Sequence, residues 1–191
     1  MNDGDKARPR RRWYWSLARI VVVSGILLTV LWISGCMERF FYMPTREETP
    51  TPTWLHPKAE AVWFESEDGT RLRGWFVPAV GRPSREAMTV LHVHGNAGSM
   101  MSHYAFVERL PAAGFNVFLF DYRGYGESEG SARSRGPLIE DTRAALRTLR
   151  ARPDIDPERV AVVAQSLGGA IAVIAVADDL RNGGAVAGVV L

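Results

Sequence analysis

Short apolar runs alternate along the chain with longer segments of helical periodicity. Three runs are rich in Val, Leu and Phe, as strands buried on both faces are, and they lie at 88–95, 115–121 and 159–165. Between and after them, three segments are predicted to be helices, and they lie at 101–114, 136–153 and 167–180. A further strand begins at 185–191. This order predicts an α/β domain with a mostly parallel sheet and helices on both of its faces.

A β-hairpin is predicted ahead of the first buried strand. Two strand-like stretches within residues 61–79 flank the dipeptide Asp68-Gly69, which favours a tight turn. Residues 61–191 are therefore predicted to form one domain, and a chain of 191 residues is long enough for that domain and an N-terminal extension.

The N-terminal extension differs from the domain in charge and in hydropathy. Residues 1–19 are basic, and residues 20–37 contain no charged side chain. An uncharged stretch of this length predicts a transmembrane helix, and aromatic residues flank it on both sides, as they do at membrane interfaces. Because basic residues stay on the cytoplasmic side, we expect a single-pass inner-membrane protein whose domain lies on the exported side.

Cys36 gives the same segment a second interpretation. It is the single cysteine of the chain, and the sequence "ISGC" that ends on it resembles the bacterial lipobox, in which a cysteine is acylated after cleavage. Residues 20–37 would then be the core of a lipoprotein signal, whereas in the first interpretation Cys36 is an ordinary residue at the end of a spanning helix. Both interpretations give a membrane-anchored protein.

Residues 38–60 are predicted to link the membrane segment to the domain. Four prolines, at positions 44, 50, 52 and 57, interrupt both helix and sheet in this stretch. The linker is therefore either a semi-rigid spacer or an arm that packs against the domain.

Charge and composition exclude several kinds of partner. The net charge is +2, and the basic residues before position 20 account for it, so the domain itself is slightly acidic and is not expected to bind nucleic acid. Four histidines and one cysteine show no metal-site spacing, and we expect no metal.

Three glycine-rich polar loops follow the buried strands. They read "HGNAGS" at 94–99, "DYRGYGESEG" at 121–130 and "AQSLGG" at 164–169. Ligands bind at the carboxyl ends of the strands in open α/β sheets, so these loops mark the candidate site. Together they resemble the α/β-hydrolase superfamily, and in particular its membrane-anchored bacterial serine hydrolases, which are depalmitoylase-like and serine aminopeptidase-like. The resemblance covers residues 61–191 and implies the N-terminal half to two-thirds of an α/β-hydrolase fold.

Ser166 is the candidate nucleophile. Its loop resembles the nucleophile elbow G-x-S-x-G, with Ala164 in place of the first glycine. The elbow holds the serine in a strained turn at a helix N-terminus, and Gly168 and Gly169 fit the close crossing of strand and helix. A serine before a helix is also a common N-cap, which is the alternative for Ser166.

The loop that begins at His94 is expected to contribute to an oxyanion hole. The resemblance implies that the backbone N–H groups of Asn96 and Leu167 hold the oxyanion. Gly95 and Gly98 would let the backbone approach the substrate. His94 is assigned by the same resemblance to the ordering of the loop and not to proton transfer.

The loop that begins at Asp121 is expected to shape the floor of the pocket. The resemblance implies a structural role for Asp121, and Gly124 and Gly126 shape the loop. The glycine spacing does not match the dinucleotide fingerprint, and the sequence has no Walker-type loop, so no organic cofactor is expected.

The histidine base and the acid of a catalytic triad are missing from this sequence. The superfamily has them after the serine, in the order Ser, Asp or Glu, His, but no histidine follows Ser166, and Asp178 and Asp179 fall in a predicted helix. We therefore expect a fragment of a longer serine hydrolase that acts on ester or thioester bonds of small-molecule or lipid acyl substrates. By itself the 191-residue chain is expected to be poorly soluble and inactive. The alternative is a membrane-tethered binding or scaffold protein with a degenerate pocket.

Overall fold

The structure, a computed structural model, describes residues 10–33, 41–54 and 56–191. It divides after Phe41 into two units, and the first unit contains helix α1, Arg10–Ile33. Within α1, the apolar stretch Trp13–Leu31 has 19 residues and a length of about 28 Å, which is enough to span a bilayer core. Helix α1 is therefore compatible with a membrane anchor or a signal sequence. The candidate lipidation site, Cys36, lies outside the described residues.

In the second unit, six strands of the described residues form one sheet in the order β1-β2-β4-β3-β5-β6. The strands are β1 Glu60–Glu65, β2 Arg71–Val77, β3 Thr89–Val93, β4 Asn116–Phe120, β5 Val160–Ala164 and β6 Gly188–Val190. Strands β4, β3, β5 and β6 are parallel, whereas β1 and β2 join them through antiparallel pairings. The mostly parallel sheet predicted from the sequence is confirmed.

The predicted hairpin connects β1 to β2. Glu65 lies opposite Arg71 at its end, and the turn between them contains Gly69 with a φ of +80°. Glycine adopts this left-handed conformation without the steric cost that a side chain would add. The side chain of Asp68 accepts a hydrogen bond from the backbone N–H of Thr70 at 3.1 Å, which fixes the turn locally.

Helices α3, Arg135–Ala151, and α4, Leu167–Arg181, cover one face of the sheet. Their apolar side chains share a core with the strands, and its fully buried members include Leu138, Leu146, Ile171, Phe118, Phe120 and Val162. Arg150 of α3 donates two hydrogen bonds of 2.6 Å to the carboxylate of Asp179 in α4, so the helices are also linked to each other. Both helices were predicted, and both are confirmed.

The predicted helix over 101–114 is only partly present. Helix α2 comprises Met100–His103, one turn of 3₁₀ helix follows at Tyr104–Phe106, and turns continue to Gly114. Pro111 prevents a regular helix from running through to Gly114, because proline lacks the N–H donor and its ring clashes with the carbonyl four residues before it. The α-helix itself already ends at His103.

The second face of the sheet is covered incompletely among the described residues, which corrects the expectation that 159–165 is buried on both faces. Side chains of α2 and the 3₁₀ turn pack on β2 and β4, in a cluster that includes Met100, Tyr104, Trp75 and Leu119. On the same face, Ala161 and Val163 of β5 stay partly exposed, and Val190 of the edge strand β6 is 63% exposed. Helix α2 and the 3₁₀ turn after it cover β2 and β4 on this face, but among the described residues they do not extend over β5 and β6.

Candidate active site

The three glycine-rich loops lie side by side at one edge of the sheet. They follow β3, β4 and β5, which are parallel neighbours in the order β4-β3-β5, so their carboxyl ends meet at the same edge. At the end of β5, the backbone N–H of Gln165 donates to the carbonyl of Val93 at 3.0 Å, and this bond carries the pairing of β3 and β5 up to the residue before Ser166. The arrangement brings the predicted site loops together.

Ser166 occupies a strained turn between β5 and α4. Its φ is 51° and its ψ is −114°, a backbone conformation that residues other than glycine rarely adopt. The residue stands at the N-cap position, but its hydroxyl makes no capping hydrogen bond within the described residues. Its side chain lies exposed at the edge of the sheet. A serine held this way does not stabilise the helix as an N-cap does.

Gly168 makes the close crossing of α4 over β3 possible. A Cβ atom at this position would lie 2.1 Å from the carbonyl oxygen of Val93 and 2.6 Å from that of His94. Gly169 differs, because a Cβ there would meet no heavy atom of the described residues within 4 Å. The close approach that the sequence suggested for both glycines therefore occurs at Gly168 alone.

The side chain of Asn96 ties together the loop after β3. Its Oδ1 atom accepts hydrogen bonds from the backbone N–H of Ala97 at 3.0 Å and from the hydroxyl of Tyr125 at 2.9 Å. Two residues in this loop have positive φ, Ala97 at 66° and Gly98 at 70°. A Cβ on Gly95 would have its nearest neighbour at 3.4 Å, an ordinary contact, so the tight backbone is at Gly98.

His94 is buried beneath the loop. Its Nδ1 atom lies 2.8 Å from the carbonyl oxygen of Gly95, and its ring packs 4.4 Å from the ring of Tyr122, measured between centroids. Burial lowers the pKa of His94 to about 3, so the ring is neutral at ordinary pH. These contacts order the loop and keep His94 away from proton exchange with solvent.

Asp121 lies at the base of the third loop and is fully buried. Its Oδ1 atom accepts a hydrogen bond of 2.6 Å from the backbone N–H of Met100, and burial raises its pKa to about 7. Oδ1 also lies 3.7 Å from Nε2 of His94, but this is not an ion pair, because burial favours the neutral form of both groups.

Two glycines let the loop after β4 pack closely. A Cβ on Gly126 would lie 2.1 Å from Oδ2 of Asp121, and one on Gly124 would lie 2.8 Å from the backbone nitrogen of Ala132. The loop therefore folds tightly over Asp121.

The buried carboxyl of Asp121 predicts a measurable dependence of stability on pH. Its folded pKa of about 7 exceeds its ordinary value of 3.8, so this group's contribution to stability is complete below about pH 3.8 and is lost as the pH rises to about 7. Asp121→Asn keeps an acceptor for Met100 but cannot ionise. The free energy of unfolding of the variant, relative to the wild type, should therefore rise by up to about 1.4 kcal/mol per pH unit between pH 4 and pH 7.

Urea denaturation of both proteins at several pH values would measure this difference. Buried His92 and His94, whose pKa values burial lowers to about 4 and about 3, give the opposite slope, because their contribution is lost as the pH falls below about 6.5. Both histidines are present in both proteins, so the effect of His92 cancels in the comparison, and that of His94, which lies 3.7 Å from Asp121, cancels where its ring is neutral in both. A difference that stays constant from pH 4 to pH 7 would contradict the raised pKa.

Part of the predicted linker packs against the candidate site, which agrees with the second of its two alternatives, an arm on the domain. Residues 42–49, which we call the arm, run along the loop after β3. The backbone N–H of Met43 donates to Oδ1 of Asn96 at 3.0 Å, and that of Thr45 donates to the carbonyl of Gly98 at 3.1 Å. The prolines of the predicted linker, of which Pro44 lies in the arm, do not indicate which surface the arm packs on.

The arm also holds the loop after β4. The backbone N–H of Gly126 donates to the carbonyl of Thr45 at 2.8 Å. The guanidinium group of Arg46 donates to the carbonyls of Ser128 and Gly130, the latter at 2.7 Å. The arm therefore connects two of the three loops that surround the candidate site.

The described residues offer no group of three His, Cys, Asp or Glu side chains that could hold a metal ion. Their polar groups suit a different chemistry. An exposed serine at a helix N-terminus lies beside a second loop of tightly turned backbone, and backbone N–H groups in such places can stabilise a developing negative charge.

Sequence comparisons find similar proteins over most of the chain. Residues 84–191 match a family model described as serine aminopeptidase, S33. The chain is 45% identical to the protein YfhR of Salmonella typhimurium over 151 residues, which is 78% of this chain and 49% of YfhR. It is 35% identical over 160 residues to the α/β-hydrolase domain-containing protein WAV2 of Arabidopsis thaliana, covering 81% of this chain and 50% of WAV2. The chain thus spans about half the length of the curated relatives it matches.

Solved structures give the same result for the fold. The esterase Pf2001 of Pyrococcus furiosus superposes with a TM-score of 0.58 at 28% identity, over 69% of this chain and 51% of the esterase. An α/β hydrolase from Vibrio vulnificus superposes with a TM-score of 0.62 at 26% identity, over 75% of this chain and 50% of that protein.

Proposed function

Because the chain belongs to the α/β-hydrolase family, through the group described as serine aminopeptidase, S33, we propose that it carries the nucleophile and the oxyanion hole of a serine hydrolase that cleaves ester or thioester bonds. The whole protein's reaction is acyl transfer to water. Ser166 is the nucleophile, and the backbone N–H groups of Asn96 and Leu167 hold the oxyanion.

The conformation of Ser166 is the observation that carries this proposal. A positive φ costs about 1–3 kcal/mol at a residue that has a side chain, and such strain persists where function requires it. The strained residue is also the one whose hydroxyl is exposed and makes no capping bond within the described residues. A nucleophile needs this exposure, whereas an N-cap serine would bond to its helix.

The proposed reaction begins when Oγ of Ser166 attacks the carbonyl carbon of the substrate and gives its proton to a general base. The carbonyl oxygen becomes an oxyanion and accepts hydrogen bonds from the N–H groups of Asn96 and Leu167. The alcohol or thiol then leaves with a proton from the base, and water hydrolyses the acyl-enzyme by the same steps.

The base is proposed to come from outside these 191 residues. None of the chain's four histidines forms a hydrogen bond with Ser166 in the part of the chain that the structure describes. His56 accepts from the backbone N–H of Lys58, the ring of His92 is buried with no hydrogen-bond partner among the described residues, and His94 is bonded to Gly95. Both ring nitrogens of His103 are also occupied. The acid that orients the base would come from outside these residues as well.

Small-molecule or lipid acyl compounds are the proposed substrates, and the exported face of a membrane is the proposed location. The structural similarity to an esterase supports ester substrates, and the length of α1 supports an anchored protein. The choice between a spanning helix and acylation at Cys36 is a choice between two anchors for the same enzyme.

A fluorophosphonate probe tests the proposal on the native protein in membranes of its source. We expect covalent labelling, and mass spectrometry should locate the adduct on the peptide that contains Ser166. Prior heating of the membranes should abolish the labelling, because the probe reacts only with an activated serine. An unlabelled protein in membranes where other serine hydrolases react would contradict the proposal and favour a tethered binding protein.

A further inference from the structure

His103 joins the two loops that carry the proposed oxyanion donors. It ends helix α2, and its ring reaches both loops at once. Its Nε2 atom lies 2.9 Å from the carbonyl oxygen of Ala97, the residue after Asn96. Its Nδ1 atom lies 2.8 Å from the side-chain amide of Gln165, the residue before Ser166.

We call these two contacts of His103 the bridge, and its partners determine which ring nitrogen carries a proton. The carbonyl oxygen of Ala97 can only accept, so Nε2 of His103 carries a proton. A neutral ring then accepts at Nδ1 from the amide NH2 of Gln165, and a protonated ring donates to the amide oxygen, since the two ends of an amide can exchange places. The bridge therefore forms with either state of the ring.

The bridge connects the two strained residues of the site. Among the described residues, Ala97 and Ser166 are the two that have positive φ without being glycine, at 66° and 51°. Such backbone persists only where the surroundings fix it. His103 binds the carbonyl of the first and the side chain of the residue that precedes the second. Its ring is itself held by stacking on His94, with centroids 5.1 Å apart.

We propose that His103 is a positioning residue that sets the distance between the N–H groups of Asn96 and Leu167 in the oxyanion hole. This inference rests on the proposed function. His103 does not act as the base, because both of its ring nitrogens are bound to other groups. A loose bridge would let the two loops move independently, and displacements of about 1 Å in such a site reduce rates by about 100-fold.

Hydrogen exchange on the full chain in detergent tests the bridge without requiring activity. In His103→Ala, amides in both 95–99 and 165–169 should exchange at least about 10-fold faster, because each segment loses the same tether. His56→Ala is the matched control, since His56 lies in a turn outside the three loops and should change neither segment. Faster exchange confined to 100–106, or to one of the two loops, would overturn the inference.

Kinetics on the native protein test the catalytic consequence. For an ester substrate, His103→Ala should lower kcat about 10- to 100-fold and leave KM within about 3-fold, because the oxyanion forms only in the transition state. His103→Gln, which can still donate to Ala97, should recover part of the loss. An unchanged kcat would overturn the positioning role even if Ser166 is labelled. A wild-type protein that is not labelled would instead refute the proposed function, and the exchange data would then decide the bridge alone.

Discussion

Replacing Ser166 with alanine should reduce ester hydrolysis and phosphonate labelling of the native protein by at least about 1,000-fold, because the reaction loses its proposed nucleophile. The same substitution should leave the free energy of unfolding nearly unchanged. The hydroxyl makes no capping bond within the described residues, so its removal costs the helix little. A Ser-to-Ala change at a true N-cap would instead cost about 1 kcal/mol.

Ser166→Gly separates strain from chemistry at the same position. Glycine tolerates a φ of 51° and a ψ of −114°, so the substitution removes about 1–3 kcal/mol of strain and adds about 0.5–1 kcal/mol of backbone entropy cost. We expect a net gain of about 1 kcal/mol in unfolding free energy together with complete loss of labelling. Urea denaturation of the full chain in detergent would measure the stability of both variants.

These two variants distinguish a nucleophile from a helix cap without a substrate. A nucleophile elbow predicts no loss of stability for alanine and a gain for glycine. An N-cap predicts a loss for alanine, and its glycine variant would not be more stable than the wild type. The second pattern would refute the interpretation of Ser166, whatever the chain does catalytically.

Much of the fold could be predicted from the sequence, because the hydrophobic pattern that indicates each helix or strand lies within that element. Strands β3 and β4 carry uninterrupted apolar runs, and α3 has apolar residues at helical spacing, so each element follows from its own composition. The helix predicted at 101–114 was wrong beyond His103, since apolar spacing alone does not register a proline at 111, which the interior of a helix does not accept. The exposure of Ala161 and Val163 could not be predicted, since it depends on how far a separate layer extends over the sheet.

The candidate site was predictable where its geometry depends on glycine and not where it depends on distant contacts. The loop sequences contain the turns at Gly98 and Gly126, which need positive φ. The bridge made by His103 joins residues 62 positions apart, and the arm bonds Met43 to Asn96 across 53 positions. No local pattern in one sequence encodes such pairings, because they exist only once the strands are adjacent.

Gly168 lies against backbone atoms, and a glycine in such a place tolerates substitution less than one that supplies a turn. Neither of the oxygens that a Cβ would meet, on Val93 and His94, can rotate away as a side chain can. Gly168→Ala should therefore lower the free energy of unfolding by about 3 kcal/mol or more, since relief requires that α4 move away from β3. The same movement would separate Ser166 from the loop of Asn96, so labelling should fall by at least about 100-fold.

Gly169→Ala is the matched control, one residue further along the same helix. A Cβ there meets no heavy atom of the described residues within 4 Å, and alanine favours a helix over glycine by about 1 kcal/mol. This variant should gain about 0.5–1 kcal/mol in urea denaturation and keep its labelling. The two changes add the same methyl group to the same helix. A similar loss of unfolding free energy in both would mean that α4 tolerates no added methyl group here. The crossing at Gly168 would then not be the cause. Opposite signs would locate the constraint at the contact between Gly168 and the end of β3, next to the proposed nucleophile and the proposed oxyanion loop.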